Sequence, residues 1–333
     1  MTIDGTHRVL LVYPIAPELR ARIEASGAEV VLPRDASPEA IEEAVADVDA
    51  MLTRGPAHIT RRHIEHATRL KVIAQTGSGT DAIDVEAASE RGIPVTSGAG
   101  LGQRAVSEWT IGAAIALHRG LLAAHMATVA GTVEWHSRLN SFTSHEFTGS
   151  TMGIVGFGHI GRDVARLAQA FDVKVLVHDP YASSFDGVGI VKVERCDRLH
   201  DLLERSATVS LHIPLNATTR GFIGAAELRA IGPESVLVNV SRGGIVDEPA
   251  LVNALANNEL GGAAIDVLEG EPPRQEQIDA LAPFPNVILS PHVAGATTNS
   301  IFRMTSNAVD VILDVLAGRP PSGVVNARAL ALD

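Results

Sequence analysis

Gly153-Ile-Val-Gly-Phe-Gly-His-Ile-Gly161 is the stretch on which the fold turns. Gly156, Gly158 and Gly161 match G-x-G-x-x-G, a spacing that 30 glycines in 333 residues produce about 0.2 times by chance, so the match alone is weak. Its setting adds weight. The loop follows a short apolar run, Gly153–Val155, and opens a segment whose apolar positions Ile160, Val164, Leu167, Ala168 and Phe171 keep helical spacing. A strand, a glycine turn and a helix in that order aim backbone N–H groups and a positive helix end at a pyrophosphate. The plainer reading is a tight strand-to-helix turn. Asp179 closes the next apolar run, eighteen residues after Gly161, where a carboxylate accepts hydrogen bonds from the adenosine ribose and repels a 2′-phosphate. Read alone, Asp179 before Pro180 is a turn residue. Together the two features favour NAD over NADP.

Outward from this loop, apolar runs alternate with helical patterns along the chain, the mark of βαβ units and parallel sheets. Six runs follow residue 151: Met152–Val155, Val173–Val177, Thr208–His212, Ser235–Val240, Ala263–Val267 and Val287–Ser290. Five precede it: Arg8–Tyr13, Glu29–Leu32, Ala50–Leu52, Lys71–Gln75 and Ile93–Thr96. Between the two series, Gly98-Ala-Gly-Leu-Gly-Gln103 reads as a hinge before a long helix starting near Arg104, and Ile301 to Leu316 forms a last helical pattern. The fold class expected is α/β, with two domains of parallel sheet, for which 333 residues suffice at roughly 150 per domain.

Composition narrows the partners. Asp and Glu number 39 against 27 Lys and Arg, a formal charge of −12, which disfavours a nucleic acid partner. The single cysteine, Cys196, excludes an intrachain disulfide and a Cys-rich metal site and fits a reducing, cytoplasmic setting. Residues 1–8 do not read as a leader peptide. Ile111 to Val133 is apolar but broken by His118, Arg119 and His125, so it reads as a buried or intersubunit helix and no membrane span is expected. His63 with His66, and Cys196 with His200, have helical ligand spacing but no further donors nearby, so no metal is expected.

In an open parallel sheet the ligand lies beyond the carboxyl ends of the strands. There the sequence places Asp179, Pro214, Ser241, Arg242, Asp266 and His292. Reduction of a carbonyl by hydride needs a proton donor, and histidine supplies one near neutral pH. His292 follows Val287-Ile-Leu-Ser-Pro291; Glu271 or Asp266 is available to fix its tautomer, and Arg242 offers a planar fork for a carboxylate. That set specifies a 2-keto acid. Taken singly, each has a plainer reading: His292 as a capping histidine, Arg242 as a surface turn residue, Glu271 as a solvated loop charge.

With these residues in place, the chain resembles the D-isomer-specific 2-hydroxyacid dehydrogenases over essentially its whole length. The resemblance rests on Gly153–Gly161, Leu211-His-Ile-Pro-Leu215, Val238-Asn-Val-Ser-Arg-Gly-Gly-Ile-Val-Asp-Glu248, Gly262-Ala-Ala-Ile-Asp-Val267 and Asn286-Val-Ile-Leu-Ser-Pro-His292, in family order and spacing. It implies Rossmann-like and flavodoxin-like domains: a substrate domain of residues 1–101 and 298–333, an NAD-binding domain of 102–297, and an active site in the cleft, which closes about Gly98–Gly102 and Gly295. By the resemblance, Arg242 orients the substrate, His292 is the proton donor and Glu271 its carboxylate partner. His159 and Ile160 stand in the pyrophosphate turn, Ile213, Pro214, Val240 and Ser241 line the cofactor pocket, and Asp266 meets the nicotinamide carboxamide. Ser78 and Gly79, in Gly77-Ser-Gly-Thr-Asp-Ala-Ile-Asp84, hold the substrate carboxylate through backbone amides. Without the resemblance this loop reads as a plain strand-to-helix turn.

The implied reaction is reversible reduction of a small 2-keto acid, glyoxylate- or hydroxypyruvate-like, by NADH in a homodimer. Gln75, where relatives oxidising 3-phosphoglycerate place an arginine, makes that substrate the runner-up, although Arg54 stands where it meets an acidic substituent. Glu271 argues against formate dehydrogenases, which carry glutamine there, and Ser78 stands where phosphite-oxidising relatives carry lysine. The segment Gln103–Glu108 and the loop from Glu271 to His292 also depart from the usual pattern. From another class, an NAD-sensing regulator resembling the C-terminal-binding-protein corepressors shares these residues, since a fold alone does not fix function.

Overall fold

The computed structural model describes residues 7–55, 57–185 and 192–332. Most of the start read above for a leader, up to residue 6, lies outside them. The chain divides into two compact units, Met1–Gly102 with Ala296–Asp333, and Gln103–Gly295.

The first unit is a five-stranded parallel sheet of β1 (Arg8–Leu11), β2 (Glu29–Val31), β3 (Ala50–Thr53), β4 (Val72–Gln75) and β5 (Val95–Ser97), in the order β2-β1-β3-β4-β5. This is the flavodoxin-like winding. Alternate residues serve opposite faces, as the period of two requires. Val9, Leu11, Leu52 and Val72 pack on Ala308, Val309 and Ile312 of the helix Thr298–Leu316. Leu10, Met51 and Ile73 pack the other way, on Ile41, Ile64 and Ala87. Burial on both faces is why these strands read as continuous apolar runs.

The second unit holds seven parallel strands: β6 (Thr151–Val155), β7 (Lys174–His178), β8 (Glu194–Arg195), β9 (Thr208–Leu211), β10 (Val236–Asn239), β11 (Gly262–Ile265) and β12 (Val287–Leu289). Their order, β12-β11-β10-β9-β6-β7-β8, contains the Rossmann winding, with the chain reversing direction across the sheet between β6 and β9. The sheet has one strand more than the six expected. β8 is a two-residue polar edge strand, too short to carry an apolar pattern.

The apolar region Ile111–Val133 is two helices rather than one. Gly120, left-handed at φ 56°, separates Gln103–His118, which buries Ile111, Ala113 and Ala114, from Leu121–Val129, which buries nothing. Among the described residues no helix is long and apolar enough to cross a membrane, and no group of three or more His, Cys, Asp or Glu could hold a metal. His63 is instead used in a helix cap: its Nδ1 accepts from Thr60 N–H at 3.2 Å and its Nε2 lies 2.9 Å from the Pro38 carbonyl.

Candidate active site

The glycine turn leaves β6 at the point where the strand order reverses. Gly156 has φ 94° and sits so close to β9 that a Cβ would lie 2.4 Å from the His212 carbonyl oxygen. Gly161, in the first turn of the helix His159–Gln169, would place a Cβ 2.1 Å from the Gly156 oxygen. Gly158 is the N-cap, and a Cβ there meets nothing within 4 Å. Two of the three glycines therefore serve packing. The third keeps open the space before the first N–H groups of the helix, which suits a pyrophosphate. Asp179 lies beside the same turn: its Oδ2 accepts from Phe157 N–H at 2.7 Å, and its Oδ1 from Tyr181 and Ala182 N–H at 2.8 and 3.1 Å. It is thus a turn residue that also presents a carboxylate at the strand end, as a dinucleotide ribose requires.

Beyond β9, Ile213 and Leu215 are half-buried and Pro214 is exposed. His212 is half-buried as a residue, but its ring is enclosed: Nε2 is 2.7 Å from Ser210 Oγ, and Nδ1 is covered and has no hydrogen-bond partner among the described residues. Burial pushes its pKa down to about 3. Beyond β10, Val240 and Ser241 are buried. Ser241 Oγ donates to the Leu211 carbonyl at 2.6 Å, tying the two strand ends together. Asn239, which sequence reasoning passed over, accepts from Ser241 N–H through its Oδ1 at 3.1 Å and donates to the Arg242 carbonyl at 3.1 Å. It holds the turn that carries Arg242, whose Nη1 donates to the Ser241 carbonyl at 2.7 Å.

His292 Nδ1 is hydrogen-bonded to Glu271 Oε1. An ionised carboxylate only accepts, so Nδ1 carries the proton of that bond, which leaves Nε2 as the ring nitrogen outside it. His292 stands in the left-handed region at φ 54°, a conformation the surroundings must hold. Asp266 does so. It is 2% exposed; its carbonyl accepts from His292 N–H at 2.8 Å, and its carboxylate from Val293 and Ala294 N–H at 2.8 and 2.9 Å and from Ser290 Oγ at 2.5 Å. Of the two carboxylates considered for His292, Glu271 meets the ring and Asp266 the backbone. Ser290, also unremarked in the sequence, completes this support. His292, Glu271 and Asp266 are thereby brought together at the ends of β11 and β12.

In the first unit Ser78 is exposed on the loop after β4, and Gly79 is held from beneath by Gln75, whose Nε2 donates to its carbonyl at 2.9 Å. Arg54, just past β3, lies over the Tyr13 ring at 5.2 Å.

The family model described as D-isomer specific 2-hydroxyacid dehydrogenase, NAD binding domain, matches residues 111–294. The chain is 37% identical to (S)-sulfolactate dehydrogenase of Chromohalobacter salexigens over 82% of its own length and 86% of that protein's. It is 36% identical to glyoxylate reductase of Thermofilum pendens, covering 88% of this chain and 86% of the relative. With D-3-phosphoglycerate dehydrogenase of Methanocaldococcus jannaschii the identity is 33% over 96% of this chain, which spans 59% of that longer protein. A solved structure from Thermus thermophilus superposes with a TM-score of 0.85 at 32% identity, covering 96% of this chain and 99% of that one. The chain belongs to the D-isomer-specific 2-hydroxyacid dehydrogenases, NAD-dependent oxidoreductases acting on CH–OH groups, and its second unit contains their NAD-binding domain.

Proposed function

We infer that the chain interconverts a small 2-keto acid and its D-2-hydroxy acid, with glyoxylate- or hydroxypyruvate-like compounds as substrates. The observation that carries this reading is the His292–Glu271 pair, braced by Asp266 in the same unit as the glycine cradle. NAD(H), when bound, supplies or takes the hydride. Gly158, His159, Ile160 and Asp179 would hold its pyrophosphate and ribose, on a turn whose close packing Gly156 and Gly161 permit, with Ile213, Pro214, Val240 and Ser241 along the pocket. Asp266 carries a second role toward the nicotinamide carboxamide.

In its charged form, with protons on both ring nitrogens, His292 donates the one on Nε2 to the substrate's carbonyl oxygen and is left neutral, and in oxidation the neutral ring takes that proton back at Nε2. Glu271 keeps the imidazole in the right tautomer and stabilises it when charged. Arg242 clamps the substrate carboxylate, and the amides at Ser78 and Gly79 share that load, with Arg54 available to an acidic substituent. In this reading, residues 1–101 and 298–333 bind substrate and residues 102–297 bind NAD. The exposed Leu121, Met126, Val129, Trp135 and Leu139 of the second unit support a homodimer, because apolar side chains at such density on a surface favour a partner. Cytoplasmic localisation belongs to the same proposal.

NADH oxidation against glyoxylate, hydroxypyruvate, pyruvate and bulkier 2-keto acids tests it. Turnover of the small members is expected. NADH binding without turnover of any would point to a regulator instead.

A further inference from the structure

Within the second unit, the segment that follows Asp179 is gripped by a cluster of aromatic rings and cations. Phe157, the residue between the first two glycines of the turn, is 2% exposed, and its ring stacks on that of Phe185 with centroids 5.8 Å apart and planes at 12°. The Arg162 guanidinium, from the first turn of the helix His159–Gln169, lies over the Phe157 ring at 4.5 Å, and that of Arg195 in β8 lies over Phe185 at 5.0 Å. Arg162 Nη2 also donates to the Ser184 carbonyl at 2.6 Å. Ring pairs, and cations over ring faces, attract beyond the area they bury. The glycine turn, the helix it opens and the edge strand β8 thus all hold one short segment, at Ser184 and Phe185.

What this grip secures is the Asp179 carboxylate. Two of its backbone donors, the N–H groups of Tyr181 and Ala182, belong to the gripped segment, and both reach Oδ1; the third, Phe157 N–H, reaches Oδ2. Each carboxylate oxygen offers about two lone pairs, so Oδ1 is filled and Oδ2 keeps capacity for one more donor. Where the segment holds its two amides therefore decides how the carboxylate is turned. We propose that Arg162, Phe157 and Phe185 are positioning residues for cofactor choice: they hold residues 181–182 so that Asp179 Oδ2 offers its remaining lone pair to a ribose hydroxyl of NAD and its charge opposes a 2′-phosphate. They act through Asp179 and not on the hydride or the proton. The proposal rests on the reading of Asp179 given above and extends it to side chains the glycine pattern does not specify, since Phe157 fills one of its variable positions and Arg162 and Phe185 lie outside it.

The test is a double-mutant cycle read as the ratio of the NADPH Kd to the NADH Kd, each from fluorescence titration, so that it depends on no substrate. Contacts of the kind Phe185 makes are each worth about two- to tenfold in an equilibrium. Phe185→Ala, which removes the ring pair and the Arg195 contact together, should lower the ratio about tenfold, chiefly by weakening NADH. Phe185→Tyr keeps the ring and should restore it. Arg162→Met, which loses the cation and the bond to Ser184, should lower the ratio about threefold. In an Asp179→Ser background no carboxylate is left to aim, so adding Phe185→Ala should leave the ratio where Asp179→Ser put it. A role in packing alone weakens both cofactors equally and does not move the ratio. An unmoved ratio in the folded single variants, or full additivity with Asp179→Ser, overturns the proposal; if Phe185→Ala fails to fold, Arg162→Met decides. If Asp179→Ser itself leaves the ratio unmoved, the reading of Asp179 falls and the proposal with it. A ratio moved by Asp179→Ser but by neither Phe185→Ala nor Arg162→Met overturns the positioning role alone.

Discussion

Gly158→Ala and Gly161→Ala make the same chemical change three residues apart, and the structure predicts opposite outcomes. At Gly161 the new methyl would lie 2.1 Å from the Gly156 carbonyl oxygen and 3.2 Å from Ile154 Cγ2. The first is a backbone atom at the end of a buried strand, so no rotamer relieves the contact; the helix His159–Gln169 must move off β6 by about 1 Å. Overpacking of this kind costs about 1–3 kcal/mol, and a backbone obstacle places it at the upper end. For a unit of this size about 3 kcal/mol lowers the unfolding temperature by about 6–12 °C. At Gly158 the methyl meets nothing, φ is −76°, and exchanging glycine for alanine at an N-cap costs about 1 kcal/mol or less. The methyl instead occupies the space left for a phosphate. Gly158→Ala should therefore melt within about 4 °C of the unaltered protein, yet bind NADH at least about tenfold more weakly. Thermal unfolding by circular dichroism and NADH fluorescence titration read the two effects separately. An unshifted melting temperature in Gly161→Ala would refute the packing reasoning, and undiminished NADH affinity in Gly158→Ala would refute the cradle.

Three further outcomes are expected. His292→Ala should cut turnover by about 10²–10⁴-fold with NADH affinity nearly intact, and Glu271→Gln should cut it by a smaller factor, both read in steady-state assays; full activity in either removes that residue from the mechanism. Asp179→Ser should improve the use of NADPH relative to NADH, and an unmoved ratio of the two kcat/KM values would show that this carboxylate does not select the cofactor. Finally, His212 titrates near 6.5 in an unfolded chain but at about 3 when folded, because burial disfavours its charged form. Between those values the unfolded state binds more protons, so stability present above pH 6.5 is lost as the pH falls toward 3. His212→Gln should flatten that fall in a pH series of melting curves.

Much of this architecture was legible because buried parallel strands are apolar on both faces. Val9 to Leu11 and Val72 to Ala74 serve opposite cores at alternate residues and so appear as unbroken runs. β8 escaped for the converse reason: Glu194 and Arg195 form an edge pair with no buried face. The break at Gly120 was hidden because the apolar pattern continues into Leu121–Val129, where it meets solvent instead of core. At the site, the kinds of group at the strand ends were readable from their position in the fold. Their internal wiring was not. Asp266 bracing the left-handed His292, Asn239 stapling the Ser241–Arg242 turn and Gln75 supporting Gly79 are contacts between side chains and distant or folded-back backbone, for which a linear pattern offers no period or spacing.

The central claim is that this chain joins an NAD cradle to a histidine proton donor for 2-keto acid reduction. NADH carrying deuterium at C4 of the nicotinamide ring, on one face and then the other, incubated with hydroxypyruvate tests it most directly. The account predicts that one face alone delivers deuterium to C2 of the product, that the product is the D-hydroxy acid, and that His292→Ala slows its appearance. NADH that binds but is not oxidised by any 2-keto acid, or an L-configured product, would contradict it.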